Sequence, residues 1–181
     1  MEQLDQLHRR VLVLKCQLGD QAAWDELYRL YNPPLAYYLR RLTRRDQTAG
    51  DVQQEIWLAV VRNIASLRNP EAFTVWLYRI ARSKVMSRWS AHDKDLSLQE
   101  ASELAADMPD DDTFGASDAA RVHAALDGLG PEHREVLLLR FMEDLSYEQI
   151  AEVVGCEIGT VRSRIYYGKR ALRGQLENNH E

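Results

Sequence analysis

A run of basic side chains near the end of the chain has the types and spacing that suit nucleic acid. Between Arg162 and Arg173 there are five Lys or Arg residues and no Asp or Glu. When a helix lies in the major groove of DNA, such side chains donate hydrogen bonds to base edges and phosphates. The basic, hydroxyl and aromatic residues expected on this face are Arg162, Ser163, Arg164, Tyr166, Tyr167, Lys169 and Arg170. This segment is therefore the first candidate for a DNA-binding surface.

A second group, between residues 76 and 89, mixes aromatic and basic side chains. Unpaired bases stack on aromatic rings while their phosphates need cations, so this mixture suits single-stranded DNA. The alternative is that the aromatic rings, which recur at helical spacing, belong mostly to a core. The residues concerned are Trp76, Tyr78, Arg79, Arg82, Lys84, Arg88 and Trp89.

Nothing in the sequence fits an enzyme active site or a metal centre. There is no Gly-rich phosphate loop, no HExxH and no GxSxG motif. The two cysteines, Cys16 and Cys156, lie far apart, and the five histidines are scattered. We therefore expect no catalysis, no cofactor and no metal. With no signal peptide and no apolar run long enough to span a bilayer, we also expect a cytoplasmic protein without membrane insertion.

The C-terminal basic run falls on the second helix of a predicted helix-turn-helix. Ser146 and Gln149 have the spacing of a capping box, which starts the first helix. Gly155 suits the left-handed conformation that ends it, and the second helix begins near Ile158. Helices at about 118–126 and 131–142 precede the motif.

The N-terminal half also shows apolar residues at helical spacing, and almost no alternation with period two. Asp20 is placed to cap a helix, and Pro33 with Pro34 predicts its end and the start of another. Further helices are expected at about 49–67 and 71–89. The sequence thus predicts an all-α protein with two small helical domains.

The middle of the chain separates the two domains by its composition. Residues 91–120 hold one basic and nine acidic residues, a net charge of −8 within a total of −5. Residues 1–90 carry a net charge of +5, so the overall acidity does not argue against nucleic acid. We therefore divide the chain into an N-terminal domain (1–90), a flexible acidic linker (91–117) and a C-terminal domain (118–181).

Three motifs carry a resemblance to a known family. They are DVQQEIW (51–57), FTVWLYRIAR (73–82) and LSYEQIAEVVGCEIGTVRSRI (145–165). In this order and spacing they resemble the extracytoplasmic-function (ECF) group of RNA polymerase sigma factors, over residues 15–90 and 118–176. The resemblance implies a region 2 bundle and a region 4 helix-turn-helix. It also implies core RNA polymerase and promoter DNA as partners, with an anti-sigma factor as a further one.

The resemblance assigns roles to particular positions. Residues on the helix implied to dock on the clamp of the largest polymerase subunit are Asp51, Gln54, Glu55, Ile56 and Trp57, with Trp57 expected as an apolar anchor. Residues implied to contact the minus-ten element are Arg68, Asn69, Pro70, Arg79, Arg82, Ser83, Ser87 and Arg88. The minus-thirty-five element is implied to meet the face of residues 162–170 named above. The C-terminal domain is expected to contact the flap of the second polymerase subunit.

Three positions depart from the family pattern. The family usually has an acid where Gly50 stands, Asn where Ser83 stands and Pro where Glu157 stands. The missing acid at Gly50 raises the hypothesis that a regulatory kinase adds negative charge at Thr48. A merely capping role for Thr48 is the simpler interpretation.

One rival from another class remains at this stage. A LuxR-like transcriptional regulator would combine a C-terminal helix-turn-helix with a helical sensor domain. The motifs at 51–57 and 73–82 argue against it. Transcription that depends on core polymerase separates the two hypotheses.

Overall fold

The computed structural model describes residues 2–43, 46–96 and 116–178, and every regular element in these ranges is helical. The first domain contains α1 (Glu2–Gln17), α2 (Gln21–Thr43), α3 (Asp46–Asn63), two short 3₁₀ helices (Ile64–Ser66 and Pro70–Ala72) and α4 (Phe73–Leu96). The second contains α5 (Ala116–Asp127), α6 (Pro131–Phe141), α7 (Tyr147–Val154) and α8 (Ile158–Asn178). The prediction of an all-α fold with two helical domains is confirmed.

The N-terminal domain is a bundle in which α2, α3 and α4 pack on one another and α1 covers α2. The side chain of Asp20 accepts a hydrogen bond from the Ala23 amide (3.1 Å), as expected of a helix cap. Leu27, Ile56 and Leu77, one from each of the packed helices, are fully buried. Burial of these stripes is what holds the helices together, since isolated helices of this length are marginal in water.

The prediction that Pro33 and Pro34 end a helix is wrong. Both prolines lie inside α2, which continues from Gln21 to Thr43. Proline inside a helix costs about 3 kcal/mol, because it lacks an N–H and its ring crowds the preceding turn. Tyr31 and Leu35, on either side of the pair, are both buried in the same core. Continuous burial of apolar side chains along α2 therefore offsets the free-energy cost of the two prolines.

The C-terminal domain contains the predicted helix-turn-helix. Ser146 and Gln149 exchange the two hydrogen bonds of a capping box at the start of α7. Gly155 adopts a left-handed conformation (φ 68°) at its end, and α8 begins at Ile158. A side chain at position 155 would be strained in that conformation, so glycine is what allows so tight a turn.

Several boundaries differ from the predicted ones. The third helix ends at Asn63 and is followed by 3₁₀ turns, while α4 extends to Leu96, past the predicted domain limit at residue 90. Helix α5 begins at Ala116 and so includes the last two residues of the predicted linker, and linker residues 97–115 lie outside the described residues. The side chain of Thr48 also lies outside them. Among the helices that the structure describes, none is long and apolar enough to cross a membrane.

The two domains pack against each other. Helix α4 lies along α7, and α2 lies along α6. Their buried apolar side chains join in one cluster that includes residues of both domains. At this boundary Arg134 of α6 is almost fully buried and donates a hydrogen bond to the Arg41 carbonyl at the end of α2 (2.8 Å). Within its own domain it also donates to the carbonyls of Leu126, Asp127 and Leu129.

Candidate nucleic-acid interface

The face of α8 predicted to read DNA is open to solvent. The exposed members are Arg162, Ser163, Tyr166, Tyr167, Lys169 and Arg170. Tyr166 and Tyr167 are 63% and 54% exposed, and their rings meet edge to face. The structure therefore brings these predicted side chains together on one accessible surface.

Arg164 is different from its neighbours. Its guanidinium lies 2.8 Å from the carboxylate of Glu132 on α6, and only 21% of its side chain is exposed. It also approaches the Cys156 sulfur at 3.9 Å. In this structure Arg164 links α8 to α6 of the same domain. For Arg164 to make the expected phosphate contact, its ion pair with Glu132 must break.

The inner face of α8 fixes its position. Val161 and Ile165 are buried. Gly168 lies so close to α6 that a Cβ atom there would sit 3.2 Å from Leu137 and 3.3 Å from His133. A glycine at this point lets the two helices approach closely, which sets the angle at which α8 presents its outer face.

Helix α4 carries the second predicted surface. Arg79, Ser83 and Ser87 are exposed and follow one another at intervals of four residues, so they form a single stripe. Tyr78 is fully buried, which favours the alternative that this ring belongs to the core. The side chain of Trp89 lies outside the described residues. The stripe can meet phosphates, but within residues 73–88 it lacks an exposed aromatic ring.

Two of the α4 arginines are held by carboxylates of the C-terminal domain. The Arg82 Nε donates to Glu135 (2.9 Å), which is 4% exposed and also accepts from the Tyr38 hydroxyl (2.9 Å). Arg79 forms a more exposed pair with Glu152 (2.9 Å). Burial, with the Glu135 charge, raises the pKa of Tyr38 well above its ordinary value, so its hydroxyl remains a donor.

The loop before α4 holds three more predicted residues. Arg68 and Asn69 are exposed, and Pro70 is half-buried. The Asn69 side chain accepts a hydrogen bond from the Glu71 amide (3.1 Å) and so caps the short helix Pro70–Ala72. Asn69 thus shapes the loop, while the Arg68 side chain is open to a ligand.

A stripe along α3 forms a third exposed surface. Its members, spaced by three or four residues, are Asp51, Gln54, Leu58 and Val61. Leu58 and Val61 are 49% and 56% exposed, and they were not among the predicted residues. The signal that could have found them is their helical register with Asp51 and Gln54. The stripe combines an acidic end with an apolar end, which suits a protein partner.

Two α3 residues predicted to bind a partner are buried instead. Ile56 is 0% and Trp57 8% exposed, and Trp57 stacks on Tyr28 while its indole N–H donates to Asn32 (3.0 Å). The expectation that Trp57 is a surface anchor is therefore wrong. Its apolar ring is better satisfied in the core, where its one polar atom also has a partner.

The remaining predicted residues on α3 and α4 hold the two helices together. Glu55 pairs with Arg88 and lies 3.9 Å from Lys84.

Gly50 is exposed, and a Cβ atom there would meet nothing within 4 Å, so an acidic side chain would fit. Beyond the predictions, Phe141 and Met142 at the end of α6 are 59% and 54% exposed.

Comparison with known proteins covers both halves of the chain. The family model "Sigma-70 region 2" matches residues 27–94, and "Sigma-70, region 4" matches residues 119–172. The RNA polymerase sigma-H factor of Pseudomonas aeruginosa is 33% identical, with 96% of each chain covered. The ECF RNA polymerase sigma-E factor of Haemophilus influenzae is 30% identical, with 96% of this chain and 97% of the relative covered.

Solved structures of similar fold add a comparison of architecture. The sigma factor RpoE in complex with the anti-sigma factor NepR from Bartonella quintana matches with a TM-score of 0.76 at 22% identity, covering 85% of this chain and 96% of that one. CnrH in complex with the cytosolic domain of CnrY matches with a TM-score of 0.65 at 23% identity, covering 94% and 97%. Both likenesses support the two-domain helical fold.

Proposed function

This chain belongs to the ECF family of RNA polymerase sigma factors, and we propose that three of its helices divide the work of promoter recognition. In this proposal α3 binds core polymerase, α4 and its preceding loop contact the minus-ten element, and α8 reads the minus-thirty-five element. The chain itself catalyses nothing and acts beside polymerase in the cytoplasm. The observation that carries the proposal is the open basic and aromatic face of α8, in a helix-turn-helix whose first helix is capped at both ends.

The α3 stripe is the surface we assign to the polymerase clamp. Asp51 and Gln54 offer polar contacts, and Leu58 with Val61 offers apolar area that water would otherwise cover. Ile56 and Trp57 support this surface from beneath. In the other domain, the exposed pair Phe141 and Met142 is the apolar surface we assign to the flap of the second subunit.

Regulation by an anti-sigma factor is the second part of the proposal. Of the two solved structures that share the fold, one is a sigma factor in complex with the anti-sigma factor NepR, and the other is CnrH in complex with the cytosolic domain of CnrY. A regulatory kinase acting at Thr48 stays a prediction, because that side chain lies outside the described residues. The LuxR-like alternative is not favoured, since the family match covers both domains.

The test is transcription that depends on both the chain and core polymerase, using promoters mapped from transcript start sites after overexpression. Asp51→Arg with Gln54→Arg places two cations on the α3 stripe, and we expect core binding to fall by about tenfold or more. Asp5→Arg, an exposed acid on α1, is the matched control and should bind normally. Normal core binding by the double variant would remove α3 from the proposal.

The same assay distinguishes the sigma-factor function from that of a LuxR-like regulator. A sigma factor should give no specific transcript without core polymerase, and a specific transcript when it is the sole sigma factor added. If the chain bound duplex DNA but never supported transcription by core polymerase alone, the regulator hypothesis would replace the proposed function.

A further inference from the structure

Helix α1 carries apolar side chains on two opposite faces. Its inner face, with Leu12, Val13 and Cys16, is buried in the core. A surface helix of a globular domain normally has one such apolar face, and packing within the domain uses only this one. The outer face carries a second apolar row, each member 41–87% exposed, which we call the α1 stripe: Leu4, Leu7, Val11, Leu14 and Leu18.

The spacing of the α1 stripe is that of a coiled-coil seam. Its residues follow one another at intervals of three, four, three and four, which are the a and d positions of successive heptads. In a helix with 3.6 residues per turn they lie within an arc of about 80°, on the side opposite the buried residues. Side chains in such a row pack into the spaces between those of a second helix. The stripe therefore suits a helical partner.

The charged residues along the border of the stripe indicate what kind of helix fits. At the e and g positions beside the seam, the charged residues are His8, Arg10 and Lys15, and all are basic. His8 lies 2.8 Å from Glu26, and Arg10 lies 3.0 Å from Glu71. These four side chains are more than half exposed, so their pairs are weak and can be exchanged for others. The border favours a helix that presents acidic residues.

A second copy of the chain does not match this border. If two α1 helices paired in parallel, Arg10 at a g position would meet Lys15 of the other copy at an e position. If they paired antiparallel, the two Arg10 side chains would face each other. Like charges at these positions select against a pairing. An acidic helix meets opposite charges in either direction, so charge favours a partner other than the chain itself.

We propose that the α1 stripe is a docking surface for an acidic amphipathic helix of a separate protein. The contact covers the five apolar side chains of the stripe and pairs the basic residues at its border with carboxylates. Helix α1 has no part in the polymerase and DNA contacts proposed above, so this inference is independent of the proposed function.

The experiment measures binding of a fluorescein-labelled peptide to the full-length chain by fluorescence anisotropy. The peptide has three heptads, with Leu at a and d and Glu at e and g. Repulsion between its acidic flanks keeps it from pairing with itself at neutral pH. We expect it to bind at least about tenfold more tightly than the same peptide with Lys at e and g, and we expect salt to reduce this difference.

Variants of the chain test whether the stripe is the binding site. Leu7→Gln with Leu14→Gln interrupts the stripe at two exposed positions and leaves the buried face intact. This variant should bind the acidic peptide at least about tenfold more weakly, because the peptide covers apolar area at both positions. Val122→Gln, at an exposed apolar residue of α5, is the matched control and should change the affinity less than about twofold. Both variants should keep the circular dichroism spectrum of wild type.

Two results of the binding assay would overturn the proposal. If the Leu variant binds the acidic peptide like wild type, the stripe is not the site. If the Lys peptide binds wild type as tightly as the Glu peptide, the border does not select an acidic partner.

Three further measurements identify a different occupant. A wild-type dimer in sedimentation analysis that the Leu variant loses would show that a second copy covers the stripe. Tighter peptide binding after Glu100→Gln, Glu103→Gln and Asp107→Asn would show that the acidic linker of the chain itself competes for it. Loss of transcription with core polymerase in the Leu variant would assign the stripe to polymerase. If instead wild type gives no core-dependent transcript while the peptide binds as expected, only the proposed function fails.

Discussion

The two helices proposed to meet DNA, α4 and α8, present their basic residues in opposite ways. On α8 the reading face is open, and Tyr166 alone is 63% exposed. On α4, Arg82 lies under the other domain and is paired with Glu135. Composition makes the two helices look alike, since both carry closely spaced arginines. The two helices differ in whether an acidic residue distant in sequence pairs with these arginines. This difference determines which of the two surfaces is open to DNA in the free chain.

The largest effect should come from removing the Arg134 side chain, which joins α6 to the end of α2 and to the end of α5. Arg134→Met removes the hydrogen bonds that this guanidinium donates to carbonyls at the end of α5 and to the Arg41 carbonyl. We expect the free energy of unfolding to fall by about 3 kcal/mol, because buried acceptors lose charge-assisted hydrogen bonds. Urea unfolding followed by circular dichroism measures this. Arg170→Met, on the exposed face of α8, is the control and should unfold like wild type.

If Arg134→Met retained full stability, the docked arrangement would not depend on this guanidinium. The contrast between α4 and α8 would then have to rest on apolar packing and on the ion pairs of Glu135 and Glu152 with α4.

A smaller effect is expected at the open surface. Arg162→Ala should weaken binding to minus-thirty-five duplex by about 1–3 kcal/mol if Arg162 contacts a base pair. The loss should be the same in wild type and in a chain that carries Glu135→Gln with Glu152→Gln, because α8 is exposed while the two domains are packed together. Fluorescence anisotropy in both backgrounds checks this. A loss seen only after Glu135→Gln would show that docking covers α8 as well.

Lys169 tests the same comparison through the salt dependence of DNA binding. Its ammonium lies 5.5 Å from the centre of the Phe141 ring and remains exposed, so it can reach a phosphate. Lys169→Ala should weaken binding to all duplex sequences alike and lower the slope of log affinity against log salt by about one. A titration at several salt concentrations measures the slope, and an unchanged slope would exclude a phosphate contact.

The smallest effect concerns the pH dependence of docking. Burial raises the pKa of Glu143 above its ordinary value of 4.5, while the neighbouring Tyr78 and Arg9, both from the other domain, lower it by less. The docked state therefore binds a proton more readily than the open state, in which this carboxyl is in water. Docking should be strongest below the ordinary pKa and weaken as pH rises through the raised pKa. Because the side chain is partly exposed, we expect the free energy of docking to change with pH by under about 1 kcal/mol.

Glu143→Gln should remove this dependence and favour the docked chain at neutral pH. The radius of gyration of wild type, measured by scattering between about pH 4.5 and pH 8, should increase with pH, and that of the variant should not. A wild-type radius that falls as pH rises would contradict the assigned direction.

Local chemistry was the part of the fold that the sequence predicted well. The capping box at Ser146, the left-handed Gly155 and the Asp20 cap depend on residues within a few positions of one another. Helical periodicity likewise predicted that both halves of the chain are helical. The prolines of α2 show the limit, because whether Pro33 ends a helix depends on how strongly the residues around it are buried.

The candidate site was predicted in part for the same reason. The α8 face is local, so Arg162, Tyr166 and Lys169 appear together as expected. Trp57 was misplaced because its burial depends on Tyr28 and Asn32, which lie on another helix. The partner of Arg82 is 53 residues away in sequence, and no spacing rule connects them.

Arg134 has a consequence for how chains of this architecture diverge. Its acceptors are main-chain carbonyls of residues 41, 126, 127 and 129, and a carbonyl is present whatever side chain occupies those positions. Mutations there can accumulate without compensating changes at position 134. Glu135 is the opposite case, since its donors are the side chains of Tyr38 and Arg82. Substitution of either donor should select for a matching change at position 135. Coupled substitutions among related sequences will therefore identify the contacts of Glu135 but not those of Arg134.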